Sequence, residues 1–164
     1  MSLVQKIVLS PVGPLRLVAS DVALLGVYFR SHRRAPPLAA REVEEHEVLD
    51  HTASELAGYF RGERRRFSTP LSAVGTDFQR AVWTALARIP YGERRSYSEL
   101  AHEIGRPRAI RAVGMANALN PLSIFVPCHR VVRTTGELSG YAGGVSVKEW
   151  LLAHEQRFAN KQGE

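Results

Sequence analysis

The chain has 164 residues, 45% of them apolar and 23% charged, which excludes a disordered chain. Its single cysteine excludes an internal disulfide and a thiolate-cluster zinc site, and no apolar run approaches the roughly 20 residues that span a bilayer. A formal charge of +6 and a pI of about 10.0 point to a polyanionic partner.

Three strands are expected first, Lys6 to Ser10, Leu15 to Ser20 and Leu24 to Phe29, separated by Pro11-Val12-Gly13-Pro14 and Ser20-Asp21. A polar loop at Arg33 to Pro37 follows. The next element is a helix from about Glu42 to Phe60, with Val48, Leu49, Leu56, Tyr59 and Phe60 as its apolar face. Gly62 ends it. Nothing in this stretch has a catalytic pattern. His32, His46 and His51 lie among acids and arginines without ligand spacing and read as surface residues. The character changes near Gly75. This divides the chain into an N-terminal sheet-and-helix domain, 1–74, and a C-terminal domain, 75–164, in an α/β (α+β) fold.

Thr76 and Gln79 have capping-box spacing, and Phe78, Val82, Leu86 and Ile89 form a helical stripe that Pro90-Tyr91-Gly92 stops. Two short helices follow, Ser98 to Ile104 and about Ala109 to Leu119. Gly105-Arg106-Pro107 joins them in the outline of a helix-turn-helix. Small residues at Ala109, Ala112 and Gly114 suit either close approach to another surface or close packing in a core. Between Phe78 and Arg133 there are nine arginines (80, 88, 94, 95, 106, 108, 111, 130, 133) against three glutamates; the remainder is balanced at thirteen of each sign. Arginine-rich base composition explains arginine over lysine but not this segregation, which a phosphate-facing surface does.

After Asn120-Pro121, Ile124-Phe125-Val126 reads as a buried strand entering Pro127-Cys128-His129-Arg130-Val131-Val132. A final helix starts with a Ser146–Glu149 capping box and runs to about Phe158. A lone intracellular cysteine is commonly a small buried hydrophobe. Here Pro127 fixes the backbone before it and His129 sets an ionisable partner beside it. Glu155 falls on the inward stripe of Val147, Trp150, Leu151 and His154, where an unpaired carboxylate is expensive. A Glu155–His129–Cys128 relay would pair it and let the imidazole take the thiol proton. An ion pair with an arginine would pair it equally well.

The run Ile124 to Val132 resembles the active-site signature of the O6-alkylguanine-DNA alkyltransferases (methylated-DNA–protein-cysteine methyltransferases). The likeness extends over most of Phe78 to Glu155: Tyr91-Gly92-Glu93, Ser96-Tyr97, Arg111-Ala112-Val113-Gly114, Asn120-Pro121, Gly140-Tyr141, Gly143-Gly144 and Lys148-Glu149-Trp150-Leu151-Leu152. It implies a ribonuclease H-like N-terminal domain with a small antiparallel sheet, and a C-terminal winged helix-turn-helix that approaches the minor groove of double-stranded DNA. The damaged guanine is flipped into a pocket, and its O6-alkyl group passes irreversibly to Cys128, once per molecule and without a cofactor.

By the same resemblance His129 is the base through a water, Glu155 orients it, and Asn120 ties the helix-turn-helix to the active-site segment. Arg111 is the finger that fills the vacated stack, and Tyr97 crowds the target phosphate. Ala109, Ala112 and Gly114 allow close approach to the groove, while the charge count sets Arg130 among the DNA-facing arginines. Cys128 and Val131 offer main-chain acceptors, the Ala142 amide a donor to O6, Tyr141 a pocket wall and Lys148 support. Ser123 stands where some members have a proline, which leaves tolerance of bulky alkyl groups open. Ala142 replaces a serine of some members, and the zinc-binding cysteines of others are absent, so no metal is expected. A cytoplasmic monomer is expected, with clustering on DNA left open. Two rivals are a damage binder without transfer, a class that lacks the acceptor cysteine, and a cysteine hydrolase, for which adjacent Cys and His are awkward.

Overall fold

A computed structural model describes residues 2–32, 39–138 and 140–162; the expected polar loop at Arg33 to Pro37 lies outside the described residues. Strands β1 (Val4–Val8), β2 (Leu15–Ala19) and β3 (Leu24–Phe29) form an antiparallel meander, with Lys6 opposite Leu17 and Leu17 opposite Val27. Leu15, Leu17 and Ala19 alternate toward one face and are fully buried, as a half-covered sheet requires. Helix α1 (Glu47–Phe60) covers that face with Val48, Leu49, Leu56 and Tyr59.

The expected helix from Glu42 starts five residues too early. Arg41–Glu42 are instead a short strand, β4, parallel to β1, with Arg41 N donating to Leu3 O and Val43 N to Gln5 O. Before Val48 there is no apolar stripe to dock a helix, so the free edge of β1 captures the backbone. The sheet order is therefore β3-β2-β1-β4. Gly62, just past α1, has φ +77, and a Cβ there would meet the Phe158 ring at 2.2 Å. It serves both as a helix terminator and as a close contact with the last helix.

In the second half, α2 (Asp77–Ala87) begins with the expected Thr76–Gln79 capping box. Strand β5 (Arg95–Ser96) leads into α3 (Tyr97–Glu103), whose own capping box is Ser96–Glu99. The turn after α3 leads to α4 (Ile110–Ala118), tied to α2 by Trp83 Nε1 donating to Ala116 O at 2.9 Å. A single 3-10 turn, Cys128–Arg130, runs into β6 (Val131–Val132), parallel to β5. Helix α5 (Val145–Gln162) closes the chain. Ser146 lies inside α5 rather than capping it, because the helix already starts at Val145 behind Gly144 at φ +97.

The outer edge of β3 takes up the end of the N-terminal half and, at Val27, a segment of the second half. Leu24 N donates to Pro70 O, Ser72 N to Leu24 O, and Val27 N to Pro121 O at 2.9 Å. The segment leading to the cysteine is thus pinned to the N-terminal sheet. One continuous apolar core runs from Leu15 through Leu86 and Val113 to Leu151.

Candidate active site

The approach to Cys128 is a tight turn, not the expected strand. Ile124 has φ +74, a region that a β-branched residue occupies at a cost of about 1–3 kcal/mol. The surroundings hold it there. Val126 N donates to Leu122 O at 2.8 Å, and Ile124 is 1% exposed. Asn120 brackets the turn: its Nδ2 donates to Val126 O at 2.9 Å and its Oδ1 accepts from Leu122 N at 3.0 Å. Cys128 N then donates to Val126 O at 2.8 Å, and Arg130 N donates to Pro127 O at 3.0 Å to form the 3-10 turn.

Cys128 is buried, and burial pushes its thiol up from the ordinary value. The Asn120 side chain, the Lys148 ammonium and the Tyr141 hydroxyl pull it part of the way back. A thiol so placed is protonated at neutral pH and needs a base. His129 is fully buried, with Nε2 2.6 Å from Glu155 Oε2. The carboxylate accepts the Nε2 proton and so leaves the Nδ1 lone pair available. Burial holds His129 below its usual value while Glu155 draws it the other way, so the ring is neutral and basic at neutral pH.

Glu155 is the hub of the site. Oε2 accepts from His129, from Tyr59 Oη at 2.7 Å and from Arg130 Nη2 at 3.0 Å; Oε1 accepts from Arg130 Nε at 2.8 Å and Gly92 N at 3.3 Å. Burial alone would raise its pKa, but His129 and Arg130 outweigh that and keep it ionised well below the usual carboxylate range. The relay contact and the arginine pair, offered as alternatives for Glu155, are both present. Arg130 corrects an expectation: it is not on the DNA-facing surface. Its guanidinium is buried, bonded to Glu155 and to Ile89 O at 2.6 Å, with the Tyr91 ring 5.7 Å away. A buried carboxylate needs an opposite charge more than the surface needs a ninth arginine.

His129 Nδ1, Lys148 Nζ, Ser123 Oγ and Tyr141 Oη are buried without a hydrogen-bond partner of good geometry among the described residues. The two hydroxyls and the thiol nevertheless lie close enough to influence one another's ionisation. Leaving a buried polar group unpaired costs about 1–3 kcal/mol, so His129 Nδ1 and Lys148 Nζ mark a place suited to a polar guest. Lys148, fully buried, is held down to about 8, chiefly by burial.

Beside this set lies a cleft of ≈ 520 Å³, lined by Tyr97, Ser98, Ile110, Arg111, Gly114 and Arg133, among others. Lys148 Nζ is 5.9 Å from the Tyr97 ring centroid, which links the cleft to the thiol. On α4, Val113, Ala116 and Asn117 face the core, while Arg111 and Ala112 are exposed and Gly114 and Ala109 half-buried. The small residues therefore thin the outer face as well as ease packing. Arg94, Arg106, Arg108, Arg111 and Arg133 are exposed, and no ion pair among the described residues includes them. Arg80, Arg88 and Arg95 each pair with an acid.

Val131 and Ala142 are buried near the site, and Tyr141 packs edge-on against Phe29 of the N-terminal sheet at 5.6 Å. Among the described residues no group of three or more His, Cys, Asp or Glu is placed to hold a metal ion. Among the described residues no helix is long and apolar enough to cross a membrane. His32 departs from the surface reading: half-buried, stacked on Phe29 and edge-on to Tyr28, it is lowered to about 4 by burial and by Arg16.

Tyr59, Asn117 and Phe29 were not singled out by sequence as site residues. Tyr59 sits on an apolar stripe, where only the need of a buried hydroxyl for a partner hinted at more. Asn117, whose Nδ2 lies 3.4 Å from Cys128 O, had a plainer signal: an amide on the core side of a helix.

Residues 77–157 match the family described as 6-O-methylguanine DNA methyltransferase, DNA binding domain, and residues 3–73 match its ribonuclease-like domain. The methylated-DNA–protein-cysteine methyltransferase of Methanosarcina barkeri is 43% identical over 150 residues, 92% of this chain and 95% of that one. The protein of the same name from Mycolicibacterium paratuberculosis is 44% identical over 148 residues, 90% and 89% of the two chains. The crystal structure of Mycobacterium tuberculosis OGT in complex with DNA superposes with a TM-score of 0.88 at 40% identity, covering 94% of this chain and 93% of that one. With both halves matched and relatives at 43% and 44% identity over most of the chain, the protein belongs to the methylated-DNA–protein-cysteine methyltransferase family.

Proposed function

We propose that this protein reverses alkylation damage directly, moving the alkyl group of O6-alkylguanine in double-stranded DNA onto Cys128. The observation that carries this is a buried thiol followed by an imidazole whose Nε2 is bonded to Glu155 at 2.6 Å and whose Nδ1 has no partner among the described residues. The names of the relatives give the reaction, and these groups supply the means.

The thiol proton passes through a water to His129 Nδ1, and Glu155 steadies the imidazolium that results. The thiolate attacks the alkyl carbon, a carbon–sulfur bond forms, and the carbon–oxygen bond breaks with its electron pair left on guanine O6. Tyr97 and the Ala142 amide are assigned to that oxygen and the ring, where donors make a better leaving group. The acceptors at Cys128 and Val131 take the guanine amine. Tyr141 and Ser123 form the pocket wall, and Lys148 favours the thiolate. The product is a thioether, so each molecule reacts once.

For recognition, Arg111 on α4 enters the stack from the minor groove while the exposed arginines hold phosphates, and the lesion is extruded into the site. The division at 74/75, action as a monomer and a cytoplasmic setting belong to the same proposal. Cys128→Ser tests it. The variant is expected to keep lesion-selective binding and take up no methyl group from O6-methylguanine duplex. Continued uptake would mean a different acceptor.

A further inference from the structure

We infer that Tyr59, carried on α1 in the N-terminal half, is a positioning residue for the transfer reaction, setting through Glu155 how strongly His129 holds a proton. The inference rests on the relay proposed above. Tyr59 is fully buried, and its hydroxyl donates at 2.7 Å to Oε2 of Glu155, the oxygen that takes His129 Nε2 at 2.6 Å. Its ring is wedged among those of Phe60, Phe67, Tyr91 and His154, and His154 Nε2 lies 2.8 Å from its carbonyl oxygen. The hydroxyl cannot swing away. A phenylalanine would fill the same space, so packing alone does not call for the oxygen.

Charged and titratable groups face the pair from several elements, among them Tyr141 from the loop before α5. Tyr59 comes from α1, with Arg65 beyond it over the Tyr91 ring at 5.0 Å. Tyr91 comes from the loop after α2, with the Gly92 amide beside it. Cys128 and Arg130 flank His129 in the 3-10 turn, and Lys148 and His154 come from α5. In this setting a donor on the shared oxygen draws off part of its negative charge. The pull on the His129 proton weakens, the imidazole stays neutral to lower pH, and the carboxylate is held in one orientation. Removing the hydroxyl makes His129 more basic. The N-terminal half thereby joins the catalytic apparatus through one oxygen atom.

The test is the pH dependence of the single-turnover transfer rate from saturating O6-methylguanine duplex, for the full chain with Tyr59→Phe and with 3-fluorotyrosine at position 59. The fluorinated ring is a nearly isosteric but stronger donor. For Tyr59→Phe the acid limb is expected to move to higher pH by roughly half a unit or more, and for 3-fluorotyrosine to lower pH. Lesion affinity should be unchanged in both. Unmoved acid limbs in both variants, with only melting temperature altered, would make Tyr59 a packing residue and overturn the inference. Should Tyr59→Phe fail to fold, the fluorinated protein decides alone. A wild-type protein that transfers methyl without any acid limb would instead remove the relay itself, and this inference with it.

Discussion

Replacing Lys148 by methionine separates what the site costs from what it does. The side chain is fully buried, and its ammonium has no hydrogen-bond partner among the described residues. Its pKa falls from 10.5 to about 8, with burial as the main cause, while the nearby Cys128 resists the fall. At about 1.4 kcal/mol per pKa unit, holding the proton in the folded state costs about 3 kcal/mol at neutral pH. Methionine has nearly the same reach and no charge, so Lys148→Met should stabilise the fold by about 1–3 kcal/mol, or a rise of roughly 3–10 °C in Tm.

The sign of the pH dependence follows from the lowered value. Between about 8 and 10.5 the unfolded chain binds the proton and the folded one does not. Wild-type stability therefore rises with pH across that window, and the advantage of the variant should fade there. The same ammonium lowers the Cys128 thiol, so Lys148→Met should raise the thiol pKa and slow alkyl transfer at pH 7. Thermal melts from pH 7 to 10, with single-turnover rates beside them, read both. A less stable variant that transfers at the wild-type rate would refute the reasoning, since Lys148 would then be a packing residue and nothing more.

Arg111→Ala is expected to slow transfer from duplex roughly tenfold or more, because extrusion costs a few kcal/mol, and to leave reaction with free O6-methylguanine base within about twofold. Equal losses on both substrates would take the finger role from Arg111. Asn120→Ala removes both bonds that bracket the strained turn at Ile124 and should cost about 2–4 kcal/mol in a denaturant melt; a cost below about 1 kcal/mol would mean the turn holds itself. His32 is neutral in the fold down to about 4 and ordinary when unfolded, so its contribution is complete above 6.5 and lost as pH falls toward 4. His32→Gln should flatten that part of the stability curve, and parallel curves for the two proteins would count against it.

Local signals were legible in the sequence, and non-local ones were not. The Thr76–Gln79 box is satisfied within one turn, so three residues suffice to place the start of α2. Glu155 could be placed inward because helical periodicity fixes the face, although the periodicity could not name its partners. Strand β4 and the turn at Ile124 were missed for a common reason. Each is decided by a partner that residue type does not name, the distant backbone edge of β1 for Arg41 and the Asn120 side chain, six residues away, for Val126. Arg130 was misread because a charge count cannot tell an arginine facing phosphate from one sealed against a carboxylate. Tyr59 was hidden for the opposite reason: its ring belongs to the core pattern, and only its oxygen belongs to the site.

The central claim is that Cys128 is the acceptor in a reaction that each molecule performs once. Intact-protein mass after mixing with a duplex carrying one O6-methylguanine tests it most directly. The account predicts a gain of one methyl in place of hydrogen, stoichiometric with protein, mapped by peptide fragmentation to Cys128 and never exceeded with excess DNA. Tight, lesion-selective binding with no change in mass would contradict it and leave a protein that finds the damage without removing it.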